Sequence, residues 1–148
     1  MKVCEEFYIN GEWVKPVNDL KTLDVINPAT EEVFGRIALG DKDDVDAAVE
    51  AAYNAFESFG YSSVDERVSL LEKILEVYQG KYDEIAETIS SEMGAPIGLS
   101  KAAQAATGLG HFSTALETLK NYKFEEVKGY ALIRKEPIGV VGMITPWN

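Results

Sequence analysis

The densest group of residues capable of chemistry lies at residues 136–148, EPIGVVGMITPWN. An uncharged run over 138–144 leads into Thr145, Pro146, Trp147 and Asn148. Pro146 fixes its own φ and drives Thr145 to an extended conformation, so the carbonyls there have set directions. Trp147 offers a flat apolar wall, and Asn148 offers an amide with two donors and an acceptor. A neutral donor at a strand end can hold a developing oxyanion in acyl-transfer chemistry with no change of protonation. On spacing alone, the same residues also suit a plainer role, in which Trp147 caps a core and Asn148 makes a turn.

Other reactive residues are poorly placed. His111 is the only histidine, and with no cysteine or carboxylate at ligand spacing it reads as a packed or surface residue. The paired acids Asp43-Asp44 and Glu125-Glu126 are adjacent, so their side chains diverge in a helix or a strand and read as solvated charge. No metal site is indicated by spacing. Cys4 is expected ahead of the first strand, in a segment prone to fray, and its neighbours Glu5 and Glu6 make it a poor nucleophile. Gly139 and Gly142 form G-x-x-G, which is not the dinucleotide fingerprint G-x-G-x-x-G.

The run over 138–144 is rich in β-branched residues and bounded by Pro137 and Pro146. It reads as a strand buried on both faces of a parallel sheet, where ligands bind beyond the carboxyl ends of the strands. Such a strand needs neighbours that the preceding residues do not supply. Earlier, residues 7–9 and 12–14 flank Asn10-Gly11 as a hairpin. Strands are expected over 22–26 and 32–39, and a helical layer must cover them.

Asp41 is placed to cap a first helix with a stripe of Val45, Ala48, Val49, Ala52, Phe56 and Phe59. Ser63 and Glu66 form a capping-box pattern for a second. Its stripe is Val68, Leu71, Leu75, Tyr78, Tyr82, Ile85 and Ile89, with a break or kink at Gly80. Pro96 opens a third helix over 97–120. Ala102, Ala103, Ala105, Ala106, Gly108 and Gly110 make it thin, which suits close helix packing. Residues 122–127 and 130–134 read as a second hairpin turning at Lys128-Gly129.

The segments FYINGEWV, NPATEEVFGRI, DDVDAAVEAAYNAF, SEMGAP and PIGVVGMITPWN resemble, in the same order, the NAD(P)-dependent aldehyde dehydrogenase superfamily. The resemblance spans nearly the whole chain and about the first third of a family member. It implies an α/β parent with a Rossmann-type nucleotide-binding fold. The present piece is then mixed α+β. Residues 1–120 form the strands and helical layer of the cofactor-binding domain, 121–136 an arm toward an oligomerisation sheet, and 137–148 the first nucleotide-binding strand and PWN loop.

By resemblance, an aldehyde is oxidised to a carboxylic acid through a cysteine thiohemiacetal. Hydride leaves for NAD or NADP, and a glutamate-activated water releases the product. The same resemblance makes Asn148 the oxyanion donor and places Ile144, Thr145, Pro146 and Trp147 along the cofactor. It also sets Gln104 at the substrate mouth. The nucleophilic cysteine and the general-base glutamate fall in later sequence, so the piece alone is expected to be inactive. The implied parent is a homodimer or homotetramer acting on a small-molecule aldehyde.

With 148 residues, 46% hydrophobic and 26% charged, the composition is that of a soluble domain. A net charge of −11 argues against nucleic acid and anionic membranes as partners. One cysteine, no signal peptide and no run of about 20 apolar residues give a cytoplasmic reading. An alternative of another class is a stand-alone interaction module that adds its arm and last strand to a partner sheet.

Overall fold

A computed structural model describes residues 1–145. The expectations for Pro146, Trp147 and Asn148 fall outside the described residues.

Five short strands come first: β1 (Lys2–Cys4), β2 (Phe7–Ile9), β3 (Glu12–Val14), β4 (Lys21–Asn27) and β5 (Glu32–Leu39). Asn10 and Gly11 both have positive φ, 55° and 81°, the form that matches strand twist in a two-residue turn. They join β2 to β3, and the Tyr8 and Trp13 rings meet across the pair at 5.2 Å. A separate sheet has the order β1-β5-β4. In it β4 runs antiparallel to β5, with an irregularity between Val25 and Ile26, and β1 runs parallel to β5.

Cys4 is therefore inside a strand, opposite Ile37, and not ahead of the first one. Three residues are too few to show an alternating pattern. The open edge of β5 recruits them through backbone hydrogen bonds, which no side-chain pattern announces.

Helices α1 (Lys42–Phe59), α2 (Val64–Gly80) and α3 (Tyr82–Met93) follow. Both expected caps form. Asp41 accepts from the amides of Asp43 and Asp44 while Asp44 reaches back to the Asp41 amide at 2.9 Å, and Ser63 and Glu66 are paired in the same reciprocal way. Asp44 is also buried and accepts from the Val17 amide at 2.8 Å, fastening the 15–20 connector to α1.

The α2–α3 stripe is half-buried throughout, and the helix breaks at Lys81 beside Gly80. The stripe of α1 behaves differently. Among its expected core positions only Phe56 is half-buried, and Val45, Ala48, Val49, Ala52 and Phe59 are exposed. The β1-β5-β4 sheet packs instead on α3, through β4.

The expected third helix is continuous but not uniform. It comprises α4 (Ile97–Leu99), a π-helical stretch over Ser100–Ala105, and α5 (Ala106–Asn121). The wholly buried residues among those described are small and lie where α3 and α2 meet it: Ala86, Ser100 and Ala105 at 0% exposure, with Leu116 of α5 at 8%. The thin middle of this helix serves close packing, since a Cβ on Gly108 would sit 2.3 Å from the Tyr78 hydroxyl.

Strands β6 (Glu125–Lys128) and β7 (Ala131–Arg134) form the second hairpin. Its turn is Gly129-Tyr130, one residue later than expected, because Lys128 pairs with Ala131. Gly129 takes the positive φ of 61° that the first turn position needs.

Residues 138–144, expected as a buried strand, have no strand pairing among the described residues, and Ile138 and Ile144 are 93% and 99% exposed. The cause is physical. A buried parallel strand is held by hydrogen bonds from strands on both sides, and none of β1 to β7 pairs with these residues.

The caps make stability depend on acid. Hydrogen bonds from the Asn18 side chain, then from the Asp43 amide, hold the Asp41 carboxyl below its ordinary range, and hydrogen bonds from Ser63 do the same for Glu66. A lowered folded-state pKa gives stability that is present above the ordinary carboxylate range and lost as pH falls through the folded value. Asn18→Ala removes the largest cause at Asp41. It is expected to move the acid-unfolding midpoint of the helical signal to higher pH, and circular dichroism against pH checks this. An unmoved midpoint would rule out the contribution.

Candidate functional site

Gln104 lies in the π-helical stretch, and both ends of its amide are held. Ser100 Oγ donates to Gln104 Oε1 at 3.0 Å, and Gln104 Nε2 donates to the Met93 sulfur at 3.6 Å. Ser100 is wholly buried and sits one turn before Gln104, so the helix itself sets this contact. Met93 ends α3, where Gly94 turns the chain with a φ of 68°. The amide is thus oriented by two elements.

Around it, three hydroxyls donate to backbone carbonyls of the wide turn. Tyr82 bonds the Lys101 carbonyl, Thr107 the Ala103 carbonyl at 2.8 Å, and Tyr78 the Ala105 carbonyl at 2.9 Å. Burial, with the Tyr82 hydroxyl nearby, pushes the Tyr78 phenol above its ordinary value, which keeps it a donor. The sequence reading assigned Tyr78 and Tyr82 to a packing stripe and did not find Ser100 or Met93. Two tyrosines four residues apart across a glycine break, facing an Ala/Gly-rich helix, are the signal that was there to be read.

Of the residues expected along a cofactor, Ile144 and Thr145 are described and both are exposed. Gln104 shares no hydrogen bond with them among the described residues. His111 is exposed on α5, and Cys4 is exposed at a sheet edge. The structure brings neither to Gln104 or to residues 144–145.

A separate cleft of about 650 Å³ separates the end of α1 from the arm. Its cations are engaged. Arg134 pairs with Glu125 at 2.7 Å, Arg67 lies 4.9 Å over the Phe124 ring and bonds the Ser62 carbonyl, and Lys135 lies 4.3 Å over Tyr122. The Arg67–Phe124 contact fastens the arm to α2, and the Arg134–Glu125 pair ties its two strands together.

Comparison with known proteins decides the family. The model of the aldehyde dehydrogenase family matches residues 13–148. The chain belongs to the aldehyde dehydrogenase family. An aldehyde dehydrogenase of Staphylococcus aureus is 53% identical over 141 residues, which cover 95% of this chain and 30% of that protein. The chain therefore spans about 30% of the length of the curated aldehyde dehydrogenases it matches.

Among solved structures, an aldehyde dehydrogenase from Bartonella henselae superposes with a TM-score of 0.84 at 41% identity, covering 87% of this chain and 27% of that one. Aldehyde dehydrogenase C from Pseudomonas syringae, a mutant in complex with NAD+ and octanal, superposes with 0.88 at 38% identity, covering 91% and 28%. The strands and helices above are thus a mixed α/β piece of the aldehyde dehydrogenase fold. No helix among the described residues is long and apolar enough to cross a membrane.

Proposed function

We propose that this chain is the N-terminal segment of an NAD(P)-dependent enzyme that oxidises an aldehyde to a carboxylic acid. One observation carries the reading: the family match spans residues 13–148 and so includes the PWN sequence. The Pseudomonas syringae relative, crystallised with NAD+ and octanal, supports the cofactor and the substrate class.

The described residues fit a dinucleotide. Ile144 presents a fully exposed apolar side chain and Thr145 an exposed hydroxyl, a pairing suited to one face of a ribose or nicotinamide ring and its hydroxyl groups. NAD or NADP supplies the hydride acceptor when bound. Ile144, Thr145, Pro146 and Trp147 would hold its ribose and nicotinamide end. Asn148 donates its side-chain amide to the oxygen on which negative charge develops, and being neutral it does so at any working pH.

Gln104 borders the substrate mouth. The nucleophilic thiol and the general base are assigned to the part of the relatives' length that this chain does not span, since it covers 30% of the matched Staphylococcus aureus protein. The segment alone therefore oxidises no aldehyde.

The arm joins the oligomerisation sheet of a homodimer or homotetramer in the cytoplasm. Support comes from the exposed apolar residues of its hairpin, Val127, Leu132 and Ile133, a surface that a partner sheet would cover. Hydrogen exchange of the full-length protein, with and without NAD+, tests the cofactor assignment. NAD+ is expected to slow exchange over 138–148, and unaltered exchange there under saturating NAD+ would overturn it.

A further inference from the structure

A π-helical stretch, with its i→i+5 bonds, is wider than an α-helix, and changing from one bonding pattern to the other interrupts the regular pairing of carbonyls and amides. Such stretches usually occupy a single turn inside a longer helix, and they persist only where something holds them. Here the alternate carbonyls of Lys101, Ala103 and Ala105 each receive a side-chain hydroxyl, from Tyr82, Thr107 and Tyr78. Two of the three donors come from another part of the chain, on either side of the α2–α3 break at Lys81.

Gly108 lets Tyr78 reach its carbonyl, since any Cβ there would collide with the hydroxyl at 2.3 Å. The stretch they hold contains both Ser100 and Gln104, whose mutual bond orients the Gln104 amide.

We infer that Tyr78 and Tyr82 are positioning residues: their hydroxyls lock the wide turn over Ser100–Ala105 and thereby fix where Gln104 points. Loss of the lock lets the turn tighten toward an α-helix. An α-helix rotates each residue by about 100° instead of the smaller step of a π-helix, so Gln104 shifts around the helix axis relative to Met93 on α3 and loses that contact. The α2–α3 hinge and the Gln104 amide are in this way one mechanical unit. The inference rests on the reading that Gln104 borders the substrate mouth.

The test uses the full-length protein with Tyr78→Phe/Tyr82→Phe, which keeps both rings in place. Thr107→Val, on the exposed side of the helix, is the second variant, in case the first does not fold. Hydrogen exchange at the amides of residues 104–107 is expected to speed up by about tenfold or more in the double variant. Its KM for an aldehyde is expected to rise about fivefold, the equivalent of one neutral hydrogen bond, with kcat within about twofold. Gln104→Ala is expected to raise KM to a similar degree, and adding it to the double variant is expected to raise KM no further.

Unchanged exchange in the double variant and in Thr107→Val would overturn the lock. A raised KM in Gln104→Ala alone, with the tyrosine double variant at the parent value, would refute the positioning and leave the mouth intact. An unaffected KM in Gln104→Ala would instead remove the mouth reading, and the exchange data would then decide the lock by themselves.

Discussion

Asn148→Ala in the full-length protein is expected to lower kcat by about 10²- to 10³-fold while the affinity for NAD+ changes little. The reason is where the amide acts. An oxyanion donor binds charge that exists only as the carbonyl is attacked, so its loss falls on the transition state and spares the ground state. Asn148→Asp is expected to be at least as damaging, since it places an acceptor and a negative charge where a donor is needed. Steady-state kinetics and cofactor titration of both variants check this. A loss of NAD+ affinity that accounts for the whole loss in turnover would mean that Asn148 holds the cofactor and not the oxyanion.

Gly94→Ala is expected to destabilise the fold by about 2–4 kcal/mol, read from the denaturant midpoint. Gly94 ends α3 with a φ of 68°, a region that costs an alanine on its own account. A Cβ there would also lie 2.9 Å from Pro28 Cγ and 3.2 Å from the Ala29 amide nitrogen.

The Pro28 loop cannot easily retreat. Asn27 Oδ1 accepts from the Ala29 amide at 2.9 Å, and the Asn27 carbonyl accepts from the Glu31 amide at 2.7 Å. Glu31 is itself at a φ of 60°. Pro28→Ala in the Gly94→Ala background removes Cγ and is expected to recover only part of the loss, because the φ penalty and the Ala29 contact remain. A fully neutral Gly94→Ala would show that the β4–β5 loop and the α3 terminus move apart freely. The SEMGAP and NPAT segments, distant in sequence, are thus one contact, and Met93 beside it carries that contact to Gln104.

Features determined by a few neighbouring residues were readable before the structure. Asn10-Gly11 dictates its turn because both positions need positive φ, and the Asp41 and Ser63 caps form because their partners lie three residues on. The α2–α3 stripe follows from helical periodicity, and Gly80 marks the interruption that falls beside it at Lys81.

Features that depend on distant groups were not readable. Nothing in SKAAQA marks a π-helix. The widening belongs to the tyrosines of α2 and α3 and to the room that Gly108 leaves. Likewise Lys2–Cys4 is a strand only because β5 has an edge to give. The run over 138–144 has the pattern of a buried strand, yet pattern supplies no hydrogen bonds, and among the described residues it stands exposed. For the candidate site, Gln104, Ile144 and Thr145 come from the family resemblance, whereas the Ser100 and Met93 contacts that orient Gln104 required the fold.

The most direct test of the account is NADH or NADPH formation when a panel of simple aldehydes is mixed with NAD+ or NADP+. It is run in parallel on the full-length protein and on the 148-residue chain. The account predicts reduced cofactor from the full-length protein with at least one aldehyde, and none from the 148-residue chain with any. A folded full-length protein that reduces neither cofactor across the panel, or a rigorously purified 148-residue chain that turns over by itself, would contradict it.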